Sequence, residues 1–178
     1  MVTNIVIVLG LAVAGVLIYA AMQPEDFRIQ RSTTVNAPPE RIYPHLADFR
    51  AWAPWSPWEK KDPAMKRTFS GPDSGVGAAY AWEGDKNVGT GKMTILEATA
   101  PGKVVIKLEF LKPFEATNTA EFTLQPQGAS TTITWAMTGK NNFLAKVMCV
   151  FMNMEKMVGP DFEAGLAGLK AIAEKPGA

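Results

Sequence analysis

Cysteine and histidine are almost absent from this chain of 178 residues. The only cysteine is Cys149, so no disulfide can form within the chain and the redox compartment stays open. The only histidine is His45, which excludes a metal centre built on several histidines. A lone histidine is more often structural than catalytic. The sequence therefore predicts neither a metal site nor a cofactor.

An excess of charge of one sign is also lacking. The chain has 18 basic and 17 acidic residues, and the formal net charge is +1. Nucleic-acid-binding domains carry a marked basic excess, so we expect no nucleic-acid partner. The length suits one domain with a sizeable core and is short for two.

Charged side chains are missing altogether from residues 1–24, and residues 5–22 are almost wholly apolar. At a helical rise of ~1.5 Å per residue, residues 5–22 would span about 27 Å, close to the ~30 Å of a bilayer's hydrocarbon core. The pattern predicts a single-pass membrane protein that contacts the membrane through residues 5–22. Residues 1–24 form the transmembrane anchor and joint, and residues 25–178 form the ligand-binding domain.

A cleaved signal peptide is the alternative interpretation of this N-terminal segment. Signal peptides begin with basic residues and end at a small-x-small site. No basic residue precedes the apolar run, and Tyr19-Ala20-Ala21-Met22 is a poor cleavage site, so a retained anchor is favoured. Arg28, Arg31 and Arg41 follow the run, and the positive-inside rule then favours a cytoplasmic domain.

Strand patterns separated by turn residues dominate the middle of the chain. Residues 27–35 alternate in polarity, and Gly, Pro, Asp and Asn clusters divide the later segment into six further strands, at 65–70, 76–83, 88–98, 104–111, 113–124 and 131–138. This spacing favours an antiparallel sheet. Residues 142–173 change to helical spacing, and Gly159-Pro160 predicts a break or sharp bend in that helix.

Several short motifs occur in this same order: Ala37-Pro38-Pro39-Glu40, the tryptophans Trp52, Trp55 and Trp58 between prolines, Ser70-Gly71-Pro72 and Tyr80-Ala81-Trp82. The combination resembles the polyketide cyclase/dehydrase branch of the START-like superfamily, also called SRPBCC. The resemblance covers about residues 27–174. It implies an α+β helix-grip fold, in which a curved seven-stranded antiparallel sheet wraps a long C-terminal helix and encloses a cavity.

The predicted function is binding or carriage of a small hydrophobic ligand, lipid-like or polyketide-like, in that cavity. Aromatic rings suit apolar ligands, and methionine adapts to irregular shapes. The residues expected to bind the ligand are Trp52, Trp55, Tyr80, Trp82, Phe110, Phe122, Trp135, Met154 and Met157. We also expect Trp52, Trp55 and Trp58 to form a lid at the cavity mouth.

Two other classes of function stay open. Some relatives catalyse cyclisation or dehydration, but the candidate acidic pair, Glu109 and Glu115, is expected to face solvent on neighbouring strands. Catalysis is therefore the alternative and not the main prediction. The third class is a protein that uses the domain as a docking surface for an unidentified partner. A further possibility is that residues 143–151 rest in the bilayer interface.

Overall fold

The computed structural model describes residues 2–175, with only the backbone of Val2 and Thr3. The end of the predicted domain, residues 176–178, lies outside the described part. The helices are α1 (Val2–Met22), α2 (Pro39–Ile42), α3 (Pro44–Ala47), a 3-10 turn (Phe49–Trp52), α4 (Pro57–Lys61), α5 (Phe143–Phe151) and α6 (Met154–Ala173). The strands are β1 (Asp26–Val35), β2 (Lys66–Ser70), β3 (Ala79–Glu83), β4 (Thr90–Thr99), β5 (Lys103–Lys112), β6 (Ala116–Gln127) and β7 (Ser130–Lys140).

All seven strands form one antiparallel sheet in the order β1-β7-β6-β5-β4-β3-β2, which confirms the predicted α+β helix-grip fold. Each strand from β2 to β6 pairs with the next one along the chain, because a short connection joins them. The register shifts between Ile95 and Glu97 on β4. Such a bulge bends a strand and increases its twist, and this helps the sheet to curve around α6.

The concave face of the sheet carries the core. On β7 the buried side chains alternate along Thr131, Ile133, Trp135 and Met137, and on β6 along Asn118, Ala120, Phe122 and Leu124. The threonines between the β7 residues point to the outer face, where the Ser32 and Thr134 hydroxyl oxygens are 2.9 Å apart. The two-residue period of a strand thus separates a polar outer face from an apolar inner face.

Helix α6 covers this concave face without the break that the sequence predicts at Gly159-Pro160. Pro160 lies inside the helix, and the interruption falls seven residues earlier, between α5 and α6. The side chain of Asn153 caps α6 by accepting a hydrogen bond from the Lys156 amide at 3.1 Å. The predicted break was wrong because proline removes only one helical hydrogen bond, and tertiary packing holds α6 on both sides of it.

Helix α1 stands apart from the domain. It is long and apolar enough to cross a membrane, and only 6% of its apolar segment is buried. Its fully buried residue is Ala20, and Val16, one turn earlier, is half-buried. The one element that α1 contacts extensively is α5. The last two turns of α1 therefore pack on α5, while the rest of the helix is unpartnered within the described chain.

Candidate functional site

A cavity of about 260 Å³ lies between the concave sheet and helices α4 and α6. Most of its lining is aromatic or aliphatic: Trp52, Trp58, Met65, Tyr80, Trp82, Val88, Met93, Leu108, Phe110, Ala120, Trp135, Met137, Met154, Val158 and Phe162. The polar residues at its wall are Ser56, Glu59, Asn87, Asn118 and Asp161. Ligand pockets commonly measure ~300–1,000 Å³, so this one suits a small ligand or one segment of a longer one.

Stacked aromatic rings build the wall beside α6. The Trp135 ring is parallel to that of Phe162, with centroids 4.1 Å apart and an interplanar angle of 4°. Trp58 meets Trp135 edge-on at 5.6 Å. These contacts join β7, α4 and α6, so the same rings that dock the helix also border the cavity. Each such pair adds about 0.5–1.5 kcal/mol beyond the area it buries.

A charged cluster borders the cavity at Glu59 and Tyr80. The Tyr80 hydroxyl donates to Glu59 Oε1 at 2.5 Å, and Arg67 Nε donates to Glu59 Oε2 at 2.7 Å. The Glu59 side chain is only 9% exposed, so both of its oxygens need these donors. Burial, and then the bond to Glu59, raises the pKa of Tyr80 far above its ordinary value of 10.0. The phenol is therefore neutral at physiological pH.

One buried donor at the cavity lacks a partner. Trp135 is 3% exposed, and its indole Nε1 makes no hydrogen bond with any of the described residues. Asn118 also lines the cavity, further along β6. It is 7% exposed, and its amide makes only a 3.9 Å contact to the Met137 sulfur. Buried polar groups are nearly always paired in proteins. Two residues that line the cavity therefore carry polar groups that the described residues leave poorly paired.

The structure places six of the nine predicted ligand-binding residues in the cavity lining: Trp52, Tyr80, Trp82, Phe110, Trp135 and Met154. Trp55 and Phe122 are fully buried behind it, because α6 packs directly on the Trp55 backbone. Met157 lies at the edge of the inward face of α6 and is 54% exposed. Whether the six bind a ligand stays a prediction.

Two of the three tryptophans of the expected lid are not at the surface, while Trp58 is partly exposed and lines the cavity. Trp52 is 4% exposed and Trp55 is not exposed at all. The indole N–H groups of Trp52 and Trp55 donate to the carbonyl oxygens of Leu46 and His45, which fixes both rings in the core. The prolines around them turn the chain inward, so these rings form part of the floor of the domain.

Sequence reasoning missed Glu59 and Arg67. Glu59 follows Trp58 in a short charged stretch that reads as solvent-exposed, and only the approach of β2 and β3 to α4 buries it. Asn118 and Thr119 lie between apolar neighbours on a strand, and the sequence alone makes both plausible polar contacts for a ligand. Of the two, only Asn118 lines the cavity. The two glutamates of the candidate acidic pair face outward: Glu109 pairs with Lys107 at 2.6 Å, and Glu115 is exposed.

Other reactive groups do not converge on the cavity. His45 is half-buried on α3, and its burial lowers its pKa below the ordinary 6.5. Asp161 borders the cavity but pairs with Lys61 at 2.5 Å. Within residues 2–175, no group of three or more histidine, cysteine or acidic side chains could hold a metal ion.

A curved antiparallel sheet that grips a C-terminal helix over an apolar cavity defines a START-like domain. The match to a family model over residues 26–174 makes the assignment specific. The chain belongs to the family described as polyketide cyclase/dehydrase and lipid transport. Among curated protein sequences, none matches the chain significantly.

Solved structures share the fold at low sequence identity. Protein CV1439 from Chromobacterium violaceum is 18% identical with a TM-score of 0.60, over 86% of this chain and 100% of that one. The Aha1 protein from Colwellia psychrerythraea, solved as a dimer, is 14% identical with a TM-score of 0.60, over 85% and 99%. The di-domain ARO/CYC BexL from the BE-7585A biosynthetic pathway is 14% identical with a TM-score of 0.62, over 89% and 53%.

Proposed function

We propose that this protein is a membrane-tethered binding or carrier module for a small hydrophobic ligand held in the cavity. The observation that carries the proposal is a mostly apolar cavity of about 260 Å³, lined by residues that include Trp135, whose buried Nε1 has no partner among the described residues. The family description, which names lipid transport, supports the same class of ligand. Helix α1 would act as the tether that keeps the domain at the membrane.

Apolar burial would supply most of the affinity. Each 100 Å² of apolar ligand surface removed from water contributes about 2.5 kcal/mol. A hydrogen bond from Trp135 to a ligand carbonyl, ether or hydroxyl oxygen would add about 1 kcal/mol and fix the orientation. The ligand class that fits is therefore a compact apolar molecule, or one chain of a larger lipid, with a single acceptor oxygen near Trp135.

Native mass spectrometry of the full chain, purified in mild detergent from its own host, tests this proposal. Organic extraction then identifies what is bound. A recurrent apolar molecule supports the carrier function. A protein that is always unliganded and that also fails to bind the apolar dye N-phenyl-1-naphthylamine contradicts it.

Two tryptophan variants test the role of the unpartnered donor. Trp135→Phe removes the N–H and keeps a ring against Phe162, so the Kd of the extracted ligand should rise about fivefold. Trp55→Phe is the matched control, because Trp55 lies behind the lining. It should lower stability and leave the Kd unchanged. An unchanged Kd in Trp135→Phe would argue against the hydrogen bond.

Catalysis of the cyclase/dehydrase type is a second candidate, favoured by the Glu59–Tyr80–Arg67 cluster at the cavity wall. A neutral phenol held by a carboxylate can donate to a developing oxyanion if it exchanges partners during a reaction. The extracted ligands distinguish the two functions. If the protein is an enzyme, the Tyr80→Phe variant should retain the unreacted substrate, whereas the wild type retains the product. For a dehydration, these two molecules differ by one water. A carrier would retain the same molecule in both.

A further inference from the structure

The membrane-proximal end of the domain carries a cluster of exposed apolar side chains. Phe114 in the β5–β6 turn is 58% exposed, and on α5 and just after it Phe143, Leu144, Phe151 and Met152 are 53%, 58%, 73% and 37% exposed. We call these five residues the apolar rim. Exposed apolar groups of this size, clustered in one region, indicate an interaction surface.

The position of α1 identifies what covers the rim. The α5 helix packs on the last two turns of α1, where Ala20 is fully buried. Lys146, the buried residue of α5, reaches Glu25 in the joint, with its Nζ 3.8 Å from the carboxylate. The backbone amide of Asn141 also donates to the Glu25 carbonyl at 2.7 Å. These contacts fix α5 beside the end of the apolar helix.

The depth of α5 follows from the helix geometry. From Val16 to Met22, the part of α1 that packs on α5 is about 9 Å long at ~1.5 Å per residue. If Met22 marks the membrane surface, α5 lies within the outer ~9 Å of the bilayer. Amphipathic helices that rest in a membrane interface bury their apolar faces to about 5–10 Å. The occupant of the rim is therefore a lipid bilayer.

A groove leads from the rim to the cavity. It measures about 390 Å³ and lies between the β5–β6 turn and α5, with Phe114, Leu144 and Met152 at its walls. Asn118 and Met154 border both this groove and the cavity. The groove and the cavity thus share a wall at these two residues.

We infer that the apolar rim sits in the bilayer interface and that the groove is a lateral portal, through which an apolar ligand passes between the membrane and the cavity. The inference rests on two parts of the proposed function: α1 as a membrane tether, and the cavity as a container for the ligand. The portal lets the ligand avoid water, because the rim seals the groove against the lipid.

Site-specific labelling of the full chain in phosphatidylcholine vesicles tests the seating of the rim. In a Cys149→Ser background, Leu144→Cys and Phe151→Cys carry an environment-sensitive nitrobenzoxadiazole label. Ala129→Cys is the control, because the β6–β7 turn lies at the opposite end of the sheet. Labels at 144 and 151 should emit at shorter wavelength and be quenched by spin-labelled lipid at least about twofold more than the label at 129. Equal quenching at all three positions overturns the seating and leaves the rim to a protein partner.

Uptake of N-phenyl-1-naphthylamine from vesicles tests the portal. Excitation of the protein's tryptophans sensitises only the dye bound close to them. Leu144→Glu with Phe151→Glu should slow uptake from vesicles about tenfold. The Kd for dye added in detergent should change less than twofold, and Ala129→Glu should change neither. Thermal unfolding checks that the variants are folded, as their exposure leads us to expect.

The two measurements separate the possible failures. Dye that does not bind in detergent contradicts the container, whatever the labels report. Dye that binds in detergent, with equal uptake from vesicles by the glutamate variant and wild type, overturns the portal and leaves the container intact.

Discussion

Tyr80 buries a hydroxyl group that the protein satisfies with a carboxylate rather than with water. Hydrogen bonds to charged partners contribute about 1.5–3 kcal/mol. Tyr80→Phe should therefore lower the free energy of unfolding by about 1–3 kcal/mol, with Glu59 still paired to Arg67. Urea unfolding measures the change. Tyr43→Phe is the control, because the Tyr43 hydroxyl makes no hydrogen bond within residues 2–175, and it should stay within about 0.5 kcal/mol of wild type.

His45 gives the protein a pH-dependent contribution that one substitution can isolate. Burial lowers its pKa in the folded state below 6.5, so the unfolded chain binds the proton more readily. As pH falls from 6.5 toward the folded-state pKa, this residue lowers the free energy of unfolding. His45→Gln should flatten the stability profile in that window. Urea titrations between about pH 5 and pH 8 measure it, and identical slopes in both proteins would contradict the assignment.

For single residues, the sequence predicts the location of a side chain only where burial follows from the residue type. Tryptophans and phenylalanines were expected inside, and Trp52, Trp82 and Trp135 are buried. Their depth was not predictable, because the position of α6 decides whether a ring lines the cavity or lies behind it, as Trp55 does. Glu59 was unpredictable for a related reason. Its partners Arg67 and Tyr80 come from other elements, and only the folded arrangement brings them together.

At the scale of elements, the strand pair β3–β4 shapes the cavity through Gly91. A Cβ at this position would lie 2.4 Å from the Trp82 ring and 2.5 Å from the Glu109 carbonyl oxygen. Gly91→Ala should therefore push Trp82 into the cavity, at a cost of about 1–3 kcal/mol in stability. Binding of N-phenyl-1-naphthylamine should weaken as well. Gly102→Ala, whose Cβ would meet only the Leu124 carbonyl oxygen at 3.9 Å, should change neither quantity appreciably.

A comparison of Gly91→Ala with Gly102→Ala can also contradict this prediction. If Gly91→Ala binds the dye as tightly as Gly102→Ala does, the ring of Trp82 does not bound the occupied volume. Calorimetry or dye titration in detergent gives the two Kd values, and thermal unfolding gives the two stabilities.

Strand positions were predicted well because turn residues mark each end. The seven expected strands correspond to β1–β7, with shifts of a few residues at their ends. The helix boundary was mispredicted because local rules favour a break at Pro160. In the structure Arg31 of β1 binds Glu155 and Glu163, one residue on each side of the proline, and holds the helix in place. Such a clamp joins residues more than a hundred positions apart, and no local pattern reveals it.

At the scale of the whole molecule, the domain and the apolar helix are nearly independent. Apart from its last turns on α5, α1 makes no extensive contact within residues 2–175. A chain that starts at Glu25 should therefore unfold in mild detergent within about 4 °C of the full chain, which corresponds to ~1 kcal/mol. Without detergent it should self-associate through the apolar rim. Calorimetry and light scattering measure both, and a large loss of stability would show that α1 belongs to the core.

The contiguous ring system around Trp135 also has an optical consequence. Trp52, Trp55, Trp58, Phe122 and Phe162 connect to it through ring centroids 4.1–6.1 Å apart. At such separations the electronic transitions of neighbouring indoles couple, so the group contributes to the spectrum as a unit. Its near-ultraviolet dichroism therefore reports the geometry of the whole wall in one spectrum. A ligand that fills the cavity should change that spectrum, so the protein's own tryptophans would report binding with no label attached.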